Sequence, residues 1–206
     1  MNPFAHPLPF GVRVTDRITG LADIHAPDCA AVIWARPDCT AVTDWLAELP
    51  ADQLPRMREI LRPDAIPTRL KAISASMPDA PERTLFIDRI AELAEHFAAA
   101  MRAPWLRLRL EVVAGNACRK FHMDNVTARL ICTCRGRGTQ FGLAARDADP
   151  VAIHTVPTGQ PIVLRGVQWP TMPPSALRHR SPPIEGTGEI RLLLVLDPIL
   201  DPEDAV

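Results

Sequence analysis

Tyrosine is absent from the 206-residue chain, and lysine occurs only as Lys71 and Lys120. The first absence removes the phenolic hydroxyl from every binding or catalytic role. The second leaves positive charge to arginine, a skew that GC-rich coding produces without functional cause. An excess of one charge is missing too. The formal net charge is −1, so no general attraction to nucleic acid or anionic lipid is expected. No apolar run approaches the ~20 residues of a membrane span. Residues 1–10 lack the basic and apolar regions of a secretion signal, and a cytoplasmic protein is expected. Five cysteines, an odd number without framework spacing, exclude a disulfide scaffold and predict reduced thiols. Neither a phosphate-cradling glycine loop nor a Ser/His/Asp arrangement with supporting context occurs.

What is present is a large apolar fraction, 47%, enough to bury a substantial core in one globular unit. Residues 1–28 are proline-rich, with His6 and His25 scattered among them, and read as an extended arm carrying exposed histidines. Ala30 to Trp34 reads as a short buried strand. Asp38 is placed to cap a helix through Trp45 and Leu49 that Pro50 ends. Short helices are predicted at 52–61 and 64–75. The clearest helix is 82–102, where Phe86, Ile90, Leu93, Phe97 and Met101 recur at steps of three and four and form one stripe. Pro104 stops it, and His96 reads as structural or exposed.

Beyond Pro104 the period changes to two. Leu106, Leu108, Leu110 and Val112 alternate with Arg107, Arg109 and Glu111, as in a half-buried strand. Further strands are predicted at 127–134, 139–144, 151–156, 161–165, 176–180 and 189–196, separated by turn residues. Such a series indicates a sandwich or barrel rather than alternating α/β units. The expected organisation is a mostly helical extension over 1–104, part of the same globular unit, and a β core over 105–206.

Phe121-His122-Met123-Asp124 follows the first of these strands after a glycine-containing loop. A His-x-Asp pair brings an imidazole and a carboxylate to adjacent positions on one metal. His179 lies near the end of the strand series. Two histidines and one carboxylate occupy one face of an octahedral ion and leave the opposite face open, the facial triad of non-heme iron(II) oxygenases. Arg191 then begins a strongly apolar strand. A buried arginine needs a counter-charge, either Glu111 or Glu189 in a salt bridge, or the carboxylate of a bound cosubstrate held by the guanidinium fork.

In order and approximate spacing, His122-x-Asp124, the distal His179 and Arg191 resemble the iron(II)/2-oxoglutarate-dependent dioxygenase superfamily. Val112 to Gly115, Gly138 to Phe141 and Thr158 to Leu164 are similar to its flanking segments, so the resemblance spans roughly residues 105–198. It implies a mainly β fold with α: a double-stranded β-helix, or jelly roll, in the C-terminal half, with the helical extension packed on it. It further implies that His122, Asp124 and His179 hold iron(II) and that Arg191 binds the distal carboxylate of 2-oxoglutarate. The reaction implied is decarboxylation of 2-oxoglutarate to succinate coupled to oxidation of a small-molecule or protein substrate. Two departures stand out. The tyrosine that often assists cosubstrate binding is missing, and Val113 stands where an aromatic often occurs. Arg129 and Asn116 are the candidates to compensate. Trp169 and Arg180, flanking the distal histidine, are candidate substrate-pocket residues, with a core tryptophan the alternative for Trp169. The whole chain is also similar to a small bacterial family of uncharacterised proteins, sometimes encoded near zinc-homeostasis genes, which implies a link to metal homeostasis and no particular activity.

Three other readings stay open. One is a cupin-like, metal-binding jelly roll that is not an oxygenase, with zinc the expected metal. Ala128 and Arg129 stand where such sites usually add a glutamate. Another uses sulfur: Cys132 and Cys134 share a strand face, with Cys118 a short loop away, and these thiols either bind zinc or pack as small hydrophobes. The last is a non-catalytic binding or regulatory protein, with Arg135, Arg137, Arg178 and Arg180 offering an anionic partner a basic face or simply forming a solvated one. His154 reads as an ordinary satisfied or exposed histidine.

Overall fold

The computed structural model describes residues 7–37, 40–145, 148–170 and 175–203. The alternating segment after Pro104 is β4, Trp105–Val113, and its even-numbered leucines are buried. It pairs antiparallel with β10, Arg191–Ile199, along nine residues. β10 pairs on its other side with β5, Ala128–Arg135, and β5 pairs with β8, Pro161–Arg165. Three short strands form a second sheet: β6, Gln140–Leu143, lies between β7, His154–Thr155, and β9, Leu177–Arg180. Every strand expected after Pro104 forms, the one near 151–156 only as a two-residue stub.

The N-terminal half contributes more sheet than its proline content suggested. β1, Val12–Thr15, runs parallel to β2, Ala31–Trp34, which pairs with β8. The proline-rich start is therefore not wholly an extended arm. Between these two strands Ile18–His25 winds as a 3-10 helix that buries Leu21 and Ile24. The helix expected over 52–61 is likewise replaced. Pro55 denies a helix its interior N–H, a single 3-10 turn covers Ala51–Gln53, and Met57–Leu61 becomes β3 against β4. The large sheet thus has seven strands in the order β1-β2-β8-β5-β10-β4-β3, facing a three-stranded sheet ordered β7-β6-β9.

The helices are α1, Thr40–Glu48; α2, Ile66–Ile73; and α3, Pro81–Met101. The expected cap at Asp38 lies outside the described residues. Pro81 opens α3, a position where its missing N–H costs nothing, and Arg102 closes it in a left-handed turn at φ 51°. The buried stripe Phe86, Ile90, Leu93 and Phe97 packs with the even-numbered leucines of β4 and β10 in one core. The odd-numbered Leu193 and Val195 face the other way and pack with Ile131 and Phe141 between the two sheets. Three layers result: helices, a large sheet and a small sheet. The chain is mixed α and β, and among its described residues no helix is long and apolar enough to cross a membrane.

Candidate metal centre

His122 and His179 are directly opposite each other across an antiparallel bridge and exchange two backbone hydrogen bonds, each 3.0 Å. Residues so paired project to the same side, and their rings lie with centroids 4.6 Å apart. The following turn brings Asp124 beside them. Its backbone carbonyl accepts from the Val167 N–H at 3.0 Å, and the Gly166 N–H donates to Thr127 O at 2.9 Å. A Cβ on Gly166 would sit 1.9 Å from Val126 O and 2.8 Å from Asp124 O. Only glycine lets these two loops touch, and their contact fixes where the carboxylate stands.

One side-chain nitrogen or oxygen from each of His122, Asp124 and His179 lies within 4.8 Å of the others, the only such group among the described residues. His179 Nε2 is 3.1 Å from Asp124 Oδ2, and His122 Nε2 is 3.6 Å from Oδ1. Two ligands about 2.1 Å from a first-row cation and at right angles to each other are about 3.0 Å apart. The set therefore has the spacing of ligands that share one ion. Buried Oδ2 accepts no hydrogen bond despite its close imidazole neighbour. In the tautomer that leaves His179 Nε2 unprotonated, two electron-rich atoms face each other in a buried site, the arrangement a cation between them would satisfy. His122 Nδ1 lies 2.9 Å from Lys120 O. In the tautomer that donates this bond, Nε2 turns its lone pair toward Asp124, the second-shell orientation usual for metal-binding imidazoles.

The electrostatics agree. Burial alone would push the Asp124 carboxyl up, yet the imidazoles of His122 and His179 and the Arg129 guanidinium hold it far below the usual carboxylate range. Asp124 raises His122 above the ordinary histidine value, against the opposing effect of burial. Burial lowers His179, and Asp124 only partly offsets it. At neutral pH the distal histidine is neutral, the form that ligates.

The ligands border a cavity of about 80 Å³ between the sheets, lined also by Arg109, Glu111, Cys118, Ile131, Leu193 and Val195. Arg129, a candidate for cosubstrate binding, is committed otherwise. Its Nε and Nη2 donate to Asp197 Oδ1 and Oδ2 at 2.6 and 2.8 Å, and its Nη1 donates to Asp124 Oδ1. Arg109 approaches Asp197 as well, at 3.8 Å. The sequence reading missed both Asp197 and Arg109. Their signal was a lone carboxylate ending an apolar strand and an arginine on the polar face of its partner strand.

Arg191 is wholly buried, on the same inner strand face as Leu193 and Val195. Neither expected counter-charge bonds it. Glu189 is taken by Arg137, with two contacts of 2.6 Å, and Glu111 lies 3.3 Å from Arg109. Arg191 instead donates from Nε to Arg137 O at 2.7 Å and from Nη2 to Thr133 Oγ1 at 3.1 Å, and Nη1 is buried with no partner among the described residues. Burial pushes its pKa down to about 10. A bulge in β5 opposite Leu192 precedes Gly136 at φ +80°, where a Cβ would lie 2.9 Å from Arg191 Cγ.

The remaining candidates sit elsewhere. Asn116 pins a surface loop: its Oδ1 accepts from the Ile184 and Glu185 N–H groups at 2.8 and 3.0 Å, and it does not line the cavity. Trp169 lies under Arg165, 4.5 Å from the guanidinium, and lines a separate hollow with Asp28 and Cys29. Arg180 borders the cavity, but strand alternation turns its side chain away from His179. It covers Phe121 at 4.4 Å and donates to Gln140 at 2.9 Å. Cys132 and Cys134 are buried in the helix-side core, whereas Cys118 lines the cavity between the sheets, so the three thiols do not converge. Of the four arginines considered as a basic face, Arg135 donates to Leu49 O and Arg178 to Ser175 O, while Arg137 and Arg180 have the partners given above. His154 is buried and stacks on Phe141 at 5.3 Å.

Among solved structures the fold is similar to that of 2-oxoglutarate oxygenases. Dioxygenase for auxin oxidation 1 from Arabidopsis thaliana, in complex with 2-oxoglutarate, matches with a TM-score of 0.50 at 10% identity, over 95% of this chain and 94% of that one. The rice dioxygenase for auxin oxidation matches with a TM-score of 0.49 at 16% identity, over 91% and 78%. No curated protein sequence matches. Residues 15–197 match the family described as protein of unknown function DUF1826, and the chain belongs to that family.

Proposed function

We propose that this protein is an iron(II)/2-oxoglutarate-dependent oxygenase built on a double-stranded β-helix. The strand order supports the fold. In the large sheet β4, β10, β5 and β8 are neighbours, and in the small sheet the His122 segment joins β9-β6-β7. Counting the His122 segment as a strand, eight successive strands pass back and forth between two facing sheets, with β6 and β7 forming a hairpin within the small one, which is how a jelly roll winds.

The observation that carries the function is the triad. Two imidazoles and one carboxylate converge at ligand spacing beside a cavity, with no fourth protein ligand among the described residues. Three protein ligands on one face suit iron(II) with open positions better than a closed structural zinc site. When bound there, iron(II) with 2-oxoglutarate supplies oxidation of a substrate coupled to release of carbon dioxide and succinate.

The chain's own residues do the rest. His122, Asp124 and His179 hold the ion. Arg191 meets the distal carboxylate of the cosubstrate through its unpartnered Nη1, with Thr133 beside it in place of the missing phenol. Ile131, Leu193 and Val195 form apolar walls that exclude water from the space between. Arg180, at the cavity edge, contributes its backbone and stem to the substrate side.

Arg191→Met, which keeps the apolar stem and removes the fork, is expected to raise the Kd for 2-oxoglutarate of manganese(II)-loaded protein by at least tenfold, leaving manganese(II) affinity unchanged. Calorimetric titration measures both. An unchanged Kd would remove Arg191 from the cosubstrate site. Tight zinc(II) retention with no 2-oxoglutarate binding would instead favour a metal protein that is not an oxygenase.

A further inference from the structure

Arg129 sits between two carboxylates and, among the described residues, is the only side chain that touches both the triad and the buried acid behind it. Its fork grips Asp197 through two hydrogen bonds, and Asp197 is 2% exposed, so the guanidinium is anchored from the inside. The remaining arm reaches Asp124 Oδ1. Asp124 Oδ2, on the other side of the same carboxylate, accepts nothing and faces His179 Nε2 at 3.1 Å. The two oxygens of one ligand are therefore unequal: one is held by protein and one is free.

We propose that Arg129, braced by Asp197, is a positioning residue that restricts Asp124 to coordination through a single oxygen. This rests on reading the triad as an iron site and extends it to the number of open positions. A carboxylate that chelated through both oxygens would occupy a fourth place on a six-coordinate ion and leave two. Held at one oxygen, it leaves three, enough for a bidentate cosubstrate and one further small molecule. The brace also fixes the guanidinium, since its bidentate pair with Asp197 has one preferred geometry, so that Nη1 meets Asp124 Oδ1 from a set direction. Arginine is suited to this because a guanidinium spans two acids at once, whereas an ammonium is a point charge. The cosubstrate-binding role considered for Arg129 is replaced by this one.

The test uses cobalt(II) alone, whose visible absorption reports coordination number and ligand geometry. Arg129→Lys keeps the positive charge and loses the fork. Arg129→Met combined with Asp197→Leu removes both buried charges together and avoids the unpaired acid that a single change would leave. Both variants are expected to bind cobalt(II) about 10–100-fold more weakly and to show an altered cobalt(II) spectrum, while their circular dichroism stays that of the wild type. If the double variant does not fold, Asp197→Asn, of the same shape, is read in its place with the same expectation. Wild-type affinity and spectrum in the Lys variant overturn the proposal, because charge alone would then suffice. Failure of the wild type to bind cobalt(II) overturns the iron-site reading itself, whereas binding that Arg129 and Asp197 do not influence overturns the brace alone.

Discussion

His122 and His179 face the same carboxylate with opposite biases. Asp124 raises the first, and burial lowers the second. Protons therefore compete with metal chiefly at His122. Its folded value lies above the ordinary ~6.5, so on acidification it protonates earlier than a free histidine would. Metal affinity is expected to fall steadily as pH drops through that raised value, by up to about tenfold per unit once His122 is mostly protonated. Metal titrations across a pH series check this, and an affinity constant from about pH 8 to 6 would contradict it. Without metal the sign reverses. Protonation of His122 stabilises the folded chain, a contribution fully present below the unfolded histidine value and lost as pH rises through the folded one. Residue chemistry was readable in sequence where it depended on spacing within one segment or on a distinctive type. His122, Asp124, His179 and Arg191 were all singled out in this way. The Arg129–Asp197 pair joins residues 68 positions apart, and no local pattern announces such a pairing.

At the scale of elements, Gly166 carries the loop contact that places Asp124. Gly166→Ala would drive a Cβ against Val126 O and Asp124 O, forcing the loops apart. The expected result is a loss of metal affinity of tenfold or more with a cooperative unfolding transition retained, read by metal titration alongside denaturant unfolding. Wild-type affinity would show that the loop contact does not set the ligand. Strands after Pro104 were legible because alternation persists where one face meets leucine-rich core and the other meets charge. The helix over Pro81–Met101 was legible because its stripe is long and its ends carry proline. Met57–Leu61 was not, since five residues on a sheet edge carry too few alternations to outweigh a helical reading. Its strand character comes from pairing with β4, which is a tertiary effect. The short parallel strand Val12–Thr15 escaped notice for the same reason.

On the scale of the whole molecule, the N-terminal half completes the sheet as well as covering it. β2 caps the β8 edge, β3 caps the β4 edge, and α1 and α3 bury the leucines of β4 and β10. A fragment of residues 105–206 would expose that apolar face and two open strand edges, an arrangement prone to association. It is expected to lack a cooperative unfolding transition by circular dichroism. A sharp transition would instead make the division at Pro104 a true domain boundary. The layered arrangement leaves a cavity between the sheets, bordered by the triad and by Leu193 and Val195 of the strand that Arg191 opens. The most direct test of that arrangement is an anaerobic titration of the protein with iron(II) and then 2-oxoglutarate, followed by visible absorption. A metal-to-ligand charge-transfer band that saturates at one equivalent of each, and vanishes in His179→Ala, is the predicted result. Iron(II) binding with no such band at saturating 2-oxoglutarate would contradict a shared ion with room for a chelating guest.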